Sequence, residues 1–90
     1  MNTKWQVSPE VLSSRIDDEV VLMSIEAGYY FALDTVGSRI WELLSKPLTN
    51  DELTEALMEE YDVERDTCVK EVNSFIEEMR SKNLIIRLEN

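Results

Sequence analysis

The hydrophobic period of this 90-residue chain changes once, from strand spacing before Asp34 to helical spacing after it. Tyr29–Leu33 (YYFAL) is dense in aromatic and apolar side chains, which favour a pleated strand. Asp34 is a good N-cap residue, and the apolar residues from Val36 to Leu44 recur on one face of a helix. The chain is therefore expected to have a β-rich first part and a helical second part.

Two more strands are predicted before this point. They cover Val11–Ile16 and Glu19–Glu26, and the connections at Asp17-Asp18 and Ala27-Gly28 are short enough for tight turns. Because strands joined by short turns usually pair with their sequence neighbours, these two and Tyr29–Leu33 are expected to form a three-stranded antiparallel meander.

The remainder of the chain reads as three helices and a short closing strand. The second helix is expected at Leu48–Tyr61, where Thr49 and Glu52 have the spacing of a capping box. The third helix is expected at about Arg65–Lys82, and Leu84–Leu88 reads as a closing strand or a docked tail. The predicted fold is α+β, one winged-helix-like domain over residues 1–90 with a three-stranded antiparallel sheet followed by three helices.

The chain is strongly acidic. Nine basic residues against nineteen acidic ones give a net charge of −10, which repels nucleic acid and anionic membranes and attracts basic ligands. No apolar run approaches the roughly 18–20 residues that span a bilayer, and a single cysteine fits a reducing compartment. We expect a cytoplasmic protein without a membrane or nucleic-acid partner.

The residues that usually carry out catalysis are scarce. The chain has no histidine, which removes the commonest general base and the commonest metal ligand. Cys68 falls on the apolar face of the third helix and is predicted to be a buried structural thiol. The paired acidic residues match no calcium-loop spacing, and no glycine-rich phosphate loop is present. The sequence predicts neither an enzyme nor a protein with a cofactor or metal.

A binding role remains, with three alternatives. An exposed edge of a three-stranded sheet can pair with an extended peptide, here between Tyr29–Leu33 and the third helix. The same edge could pair with a second copy to give a homodimer. An acidic winged-helix regulatory or DNA-associated protein is the remaining alternative, and charge argues against it. Residues 64–82, the segment that would enter the major groove, carry four basic and five acidic side chains.

The ordered residues from Gly28 to Leu44 (GYYFALDTVGSRIWELL) resemble the PqqD family. The resemblance continues through Glu59–Val63 (EEYDV) and through the apolar positions of the third helix, and it covers roughly residues 7–86. PqqD-like domains are recognition elements for the leaders of ribosomally synthesised, modified peptides. A free-standing chain of this length is most similar to the leader-binding proteins of lasso-peptide pathways.

The resemblance implies a role and a site. The leader of a precursor peptide would pair as an extra strand along Tyr29–Leu33 and pack against the third helix. The domain would then present the precursor to a leader peptidase, a separate cysteine protease chain. The implied peptide-binding residues are Tyr29, Tyr30, Phe31, Ala32 and Leu33 on the strand, and Val69, Val72, Asn73, Ile76 and Arg80 on the helix.

Overall fold

The computed structural model of the protein describes residues 3–88, which form five strands and three helices. In chain order the elements are β1 (Lys4–Val7), β2 (Val11–Ile16), β3 (Glu19–Ser24), β4 (Tyr29–Ala32), α1 (Thr35–Leu43), α2 (Asn50–Glu60), α3 (Arg65–Ser81) and β5 (Ile85–Leu88). The predicted α+β class is confirmed, and the winged-helix likeness holds only as a general description. No helix among these residues is long and apolar enough to cross a membrane.

The predicted meander is present as the sheet β2-β3-β4, in which every neighbouring pair is antiparallel. Asp17 adopts the left-handed conformation (φ 57°) in the turn between β2 and β3, which short acidic side chains tolerate. Gly28, just before β4, has φ 73°, a region that glycine enters without steric penalty. β3 is the central strand, so β2 and β4 are the two edges of the sheet.

β1 was not predicted from the sequence. It pairs antiparallel with β5, and Trp5 lies opposite Arg87. The Trp5 amide also donates to the Leu48 carbonyl at 2.8 Å, and the Leu48 amide donates back to Trp5 at 3.1 Å. β1 is four residues long and its partners lie far away in the chain, so no local hairpin signal marks it. The predicted closing strand is confirmed as β5.

The helix starts match their sequence signals. The Asp34 carboxylate accepts the Gly37 amide at 2.7 Å at the start of α1. In α2, the Thr49 hydroxyl accepts the Glu52 amide at 3.0 Å, and the Glu52 carboxylate accepts the Thr49 amide at 2.8 Å, which completes the capping box. That bond to the backbone holds the pKa of Glu52 below its usual range.

The core lies between the inner face of the meander and the three helices. Its members are apolar side chains that are almost completely excluded from solvent: Trp5, Val20, Leu22, Leu33, Ile40, Trp41, Leu44, Leu53, Leu57, Cys68, Val72, Phe75, Ile76, Met79, Leu84 and Ile85. All three helices and all five strands contribute to this core or flank it.

Ser38 ties the sheet to α1. Its buried hydroxyl accepts the Val20 amide at 2.8 Å and donates to the Leu33 carbonyl at 3.4 Å. The Leu33 amide in turn donates to the Val20 carbonyl at 2.9 Å. One side chain of α1 therefore bridges the start of β3 and the end of β4, and fixes where β4 stops.

Replacing Ser38 with alanine should lower the free energy of unfolding by about 1–3 kcal/mol, because the Val20 amide and the Leu33 carbonyl would stay buried without that partner. Urea denaturation followed by circular dichroism measures the loss. Ser45→Ala, which truncates an exposed serine just after α1, is the matched control and should change little. Equal effects of the two substitutions would contradict the bridging role.

Candidate functional site

The outer edge of β4 lies just before Asp34, where the hydrophobic period changes from strand spacing to helical spacing. Within residues 3–88, β4 pairs with β3 on one side and with no strand on the other. The Leu33–Val20 hydrogen bond fixes which residues face β3, and antiparallel strands alternate between inward and outward backbone groups. Tyr29 and Phe31 therefore bond to β3, whereas the amides and carbonyls of Tyr30 and Ala32 point away from the sheet. Unpaired backbone groups therefore occur at every second residue along this edge of β4.

A groove of about 320 Å³ lies next to this edge, where β4, the start of α1 and α3 meet. It is partly open to solvent. Its lining comprises Phe31, Ala32, Leu33, Asp34, Val36, Gly37, Ile40, Glu71, Ser74, Phe75 and Glu78. The strand edge and the groove are thus parts of one surface.

The groove has an apolar floor and an acidic rim. Phe31, Leu33 and Phe75 supply the apolar floor, and the lining contains three carboxylates but no basic residue. Two of these carboxylates, Glu71 and Glu78, form no ion pair within the described part of the chain. Next to the groove, the Lys82 ammonium lies 5.3 Å from the centre of the Phe31 ring. The groove lining is therefore negative, and the Lys82 cation lies beside Phe31.

Gly37 shapes the groove because it has no side chain. A β-carbon at this position would lie 3.3 Å from Cε1 of Phe75 and 3.1 Å from Oδ1 of Asp34. The absence of a side chain lets the first turn of α1 approach the Phe75 ring of α3, while Leu33 at the end of β4 is next nearest at 3.6 Å.

The predicted strand residues lie where the sequence analysis placed them, on β4 and just after it. Tyr30 is 75% exposed and Ala32 is exposed, so both present their side chains on the outer face of the sheet. Tyr29 and Phe31 are half-buried on the inner face, and Leu33 is part of the core. Phe31, Ala32 and Leu33 line the groove.

The predicted helix residues do not line this groove. Val72 and Ile76 are buried in the core, and Val69 is half-buried. The side-chain oxygen of Asn73 accepts a hydrogen bond from the side-chain Nδ2 of Asn50 at 2.8 Å, which places Asn73 against the start of α2. Arg80 is exposed and pairs with Glu77 at 2.6 Å. The structure therefore does not place these five residues along this groove, and their role in peptide binding stays a prediction.

The phase of the helix explains why these residues lie away from the groove. The strongest apolar stripe of α3 faces the core and α2, and the residues that line the groove lie on a flank of that stripe, with Phe75 shared by both. The groove-facing residues are Glu71, Ser74, Phe75 and Glu78. They are spaced at i, i+3, i+4 and i+7, which is a helical face, but three of the four are polar. Because this face is mainly polar, it gives no hydrophobic stripe that the sequence could reveal.

The structure gives Cys68 no sign of activation. Its side chain is buried, and its thiol is 3.7 Å from the Thr54 carbonyl. Burial is the main factor that raises the pKa of this thiol, with a smaller contribution from Glu71. A raised pKa lowers the thiolate fraction that nucleophilic attack needs. Among residues 3–88, no group of three or more histidine, cysteine or acidic side chains is placed to hold a metal ion.

Solved structures of two proteins share this fold. One, described as "TbiB1 in Complex with the TbiA(beta) Leader Peptide", is 39% identical with a TM-score of 0.83, and the match covers 94% of this chain and 99% of that one. The other, "Lasso peptide synthetase B1 complexed with the leader peptide", is 19% identical with a TM-score of 0.78 and supports the fold alone. Its match covers 91% of this chain and 96% of that one. The comparison with curated proteins gave no match.

The sequence also matches a family over most of its length. Residues 19–85 fit the family described as "Coenzyme PQQ synthesis protein D (PqqD)". This range begins at β3 and ends at the first residue of β5, so it includes β4, the groove and all three helices. The resemblance stated from the sequence is confirmed: the chain belongs to the PqqD family.

Proposed function

We propose that this protein binds the leader of a ribosomally synthesised precursor peptide in lasso peptide biosynthesis. The leader adds to the sheet as a strand along β4 and lies in the groove against α3. The observation that carries the proposal is the unpaired edge of β4 directly beside an open groove. An extended peptide satisfies the free backbone groups there while its side chains enter the groove.

The strand side of the proposed site keeps the residues expected from the sequence. The backbones of Tyr30 and Ala32 make the ladder, Phe31 and Leu33 contribute to the groove, and Tyr29 supports the inner face. The helix side of the site is revised in favour of the groove-facing residues Glu71, Ser74, Phe75 and Glu78. Of the helix residues that the resemblance implied, Val72 and Ile76 are buried in the core, where they hold α3 in place.

The charge of the groove indicates what kind of leader fits it. Asp34, Glu71 and Glu78 surround an apolar floor, so a leader with apolar side chains and a neighbouring lysine or arginine would match both. Lysine and arginine can lay their aliphatic stems on apolar surface while the charged head reaches a carboxylate. Lys82, beside Phe31, disfavours a second cation at that position.

The similarity to TbiB1 supports the same role, because that protein is 39% identical over nearly the whole chain and was solved with a leader peptide. We further propose that the chain is not itself an enzyme. It delivers the bound precursor to a leader peptidase, a cysteine protease on a separate chain. This division of labour suits a cytoplasmic domain whose single thiol is buried.

Binding of a labelled leader peptide, followed by fluorescence anisotropy, tests the proposal. The two probes are the TbiA(beta) leader peptide and the leader of the precursor encoded with this protein. We expect saturable binding with one peptide per chain. An extrinsic label is needed because Trp5 and Trp41 are both buried outside the groove and report on the core.

A scrambled peptide of the same composition is the control. A chain of charge −10 attracts any basic peptide at low salt, so only sequence-dependent binding at physiological salt supports the proposal. If neither leader binds, or if the scrambled peptide binds equally well, leader recognition is wrong.

A further inference from the structure

Lys82 is a cation beside the groove that has no ion-pair partner among residues 3–88. It caps the C-terminal end of α3 and is half-buried. Glu78 lies four residues earlier on the same helix, the spacing at which a glutamate and a lysine commonly pair, but the two form no ion pair. The Lys82 ammonium lies instead 5.3 Å from the centre of the Phe31 ring.

The Phe31 ring determines where this charge lies. Phe31 belongs to β4, lines the groove and is half-buried on the inner face of the sheet. A lysine ammonium is attracted to the face of an aromatic ring, and the aliphatic stem of lysine packs on apolar surface. The cation is therefore held on the β4 side of the groove, next to the free strand edge.

A strand added to β4 places one of its side chains beside Phe31. The backbone groups of Phe31 bond to β3, whereas those of Tyr30 and Ala32 point toward the added strand. In antiparallel pairing, the residue opposite Phe31 belongs to a non-hydrogen-bonded pair, in which side chains lie closest, with β-carbons roughly 4.5–5.5 Å apart. Directly opposite side chains share a face, so this residue lies on the inner face, where the Lys82 ammonium is.

Charge changes sign along the groove. Asp34 follows Phe31 by about 10 Å at the usual strand rise, and Glu71 precedes Lys82 by roughly 16 Å along the helix. Both carboxylates line the groove where β4 ends and α1 begins, and Glu78 lies between Glu71 and Lys82 on α3. The α1 end of the groove therefore favours a cationic side chain of a ligand, and the Phe31 end favours an anionic one.

We propose that Lys82 binds the carboxylate of an aspartate or glutamate in the leader, at the position opposite Phe31. The inference rests on the proposed function and deepens it, because it assigns a charged specificity contact within the same site. The Phe31 ring shields one side of the Lys82 ammonium from water, so this charge-assisted contact contributes more than an ion pair on an open surface.

The same geometry gives the leader a direction. Every strand pair among the described residues is antiparallel. An antiparallel leader enters the groove at the Asp34 end and leaves it beyond Tyr29, so its residues near Asp34 and Glu71 precede the residue at Lys82. A leader that fits this charge pattern carries a lysine or arginine on the N-terminal side of an aspartate or glutamate.

Two sets of labelled TbiA(beta) leader peptides test the contact. In one set each residue is replaced in turn by aspartate, and in the other by asparagine, which has the same shape without the charge. Fluorescence anisotropy at physiological salt measures their dissociation constants. We expect one position at which aspartate binds about fivefold or more tightly than asparagine. Elsewhere aspartate should bind no better, because the chain has a charge of −10 and the groove lining has three carboxylates.

Three variants of the full-length chain assign that preference. Lys82→Gln removes the charge and should bring the two affinities at this position to within about twofold. Lys82→Glu should reverse the preference, so that asparagine binds more tightly. Lys70→Glu is the matched control, since Lys70 is an exposed residue of α3 outside the groove lining, and the preference should remain. Circular dichroism checks that each variant is folded.

Several outcomes would overturn the proposal. A preference for aspartate that both Lys82 variants retain would mean that Lys82 only packs over Phe31. Sequence-dependent leader binding without any position that prefers aspartate would exclude the contact and leave leader recognition intact. Loss of the preference in Lys70→Glu as well would assign it to overall charge. If the wild-type chain binds neither the parent leader nor any substituted leader, the proposed function is wrong, and this contact with it.

Discussion

Replacing Tyr30 with proline should abolish most leader binding while the protein stays folded. The Tyr30 amide points away from β3, so proline removes a donor of the free edge and no bond of the existing sheet. Proline is tolerated at such edge positions. Its ring would occupy the place where the leader approaches, and the leader would lose a backbone hydrogen bond in a partly desolvated site. We expect the leader dissociation constant to rise by about 10–100-fold.

Tyr30→Ala is the matched control, because it deletes the exposed side chain and keeps the amide. Its leader affinity should stay within a few fold of the wild-type value. Anisotropy with the labelled TbiA(beta) leader peptide measures both variants, and thermal unfolding checks that each is folded. A folded proline variant with normal affinity would exclude strand addition. An equal loss in the alanine variant would mean that the phenol, not the backbone, carries the contact.

Local signals were enough to predict most of the fold. The short turns at Asp17 and Gly28 predicted the meander, and both residues adopt left-handed conformations there. Asp34 and Thr49 predicted two helix starts, and both side chains accept the expected amides. β1 could not be predicted in this way. Its register is set by pairing with β5 and Leu48, which are distant in the chain. Four residues are too few to show a hydrophobic period that would predict a strand.

The candidate site was only half predictable for a related reason. An edge strand is identified by its own composition and position, so β4 could be located from the sequence. The facing surface of α3 depends on the rotation of that helix against α1, which is set where Phe75 packs over Gly37. The strongest hydrophobic period shows which side of α3 is buried. It does not show which of the flanking sides, here that of Glu71 and Glu78, faces β4.

Replacing Leu22 with alanine should destabilise the protein more than any other single change considered. Leu22 lies at the centre of β3, is 0% exposed, and pairs with Phe31 of β4. Truncation of such a leucine leaves a cavity and costs about 2–5 kcal/mol. Domains of this size have only about 5–15 kcal/mol in total. With a shift of about 4–8 °C per kcal/mol, the melting temperature should fall by at least about 8 °C.

Leu12→Ala is the control for this experiment, since it makes the same chemical change on the outer face of the same sheet. Leu12 is more than half exposed, so the free energy of unfolding should change by about 0.5 kcal/mol or less. Urea denaturation measures both variants. Equal losses for the two leucines would contradict the assignment of inner and outer faces.

The same variant links stability to ligand binding. Any ligand that binds only the folded chain stabilises it, by about 2.7 kcal/mol at a concentration of 100 times its dissociation constant. Leader peptide at saturation should therefore restore much of the stability that Leu22→Ala removes. It should do so less well when Tyr30→Pro is added, because that change acts on affinity and leaves the core intact. Equal rescue of both chains would show that the peptide stabilises the fold without pairing with β4.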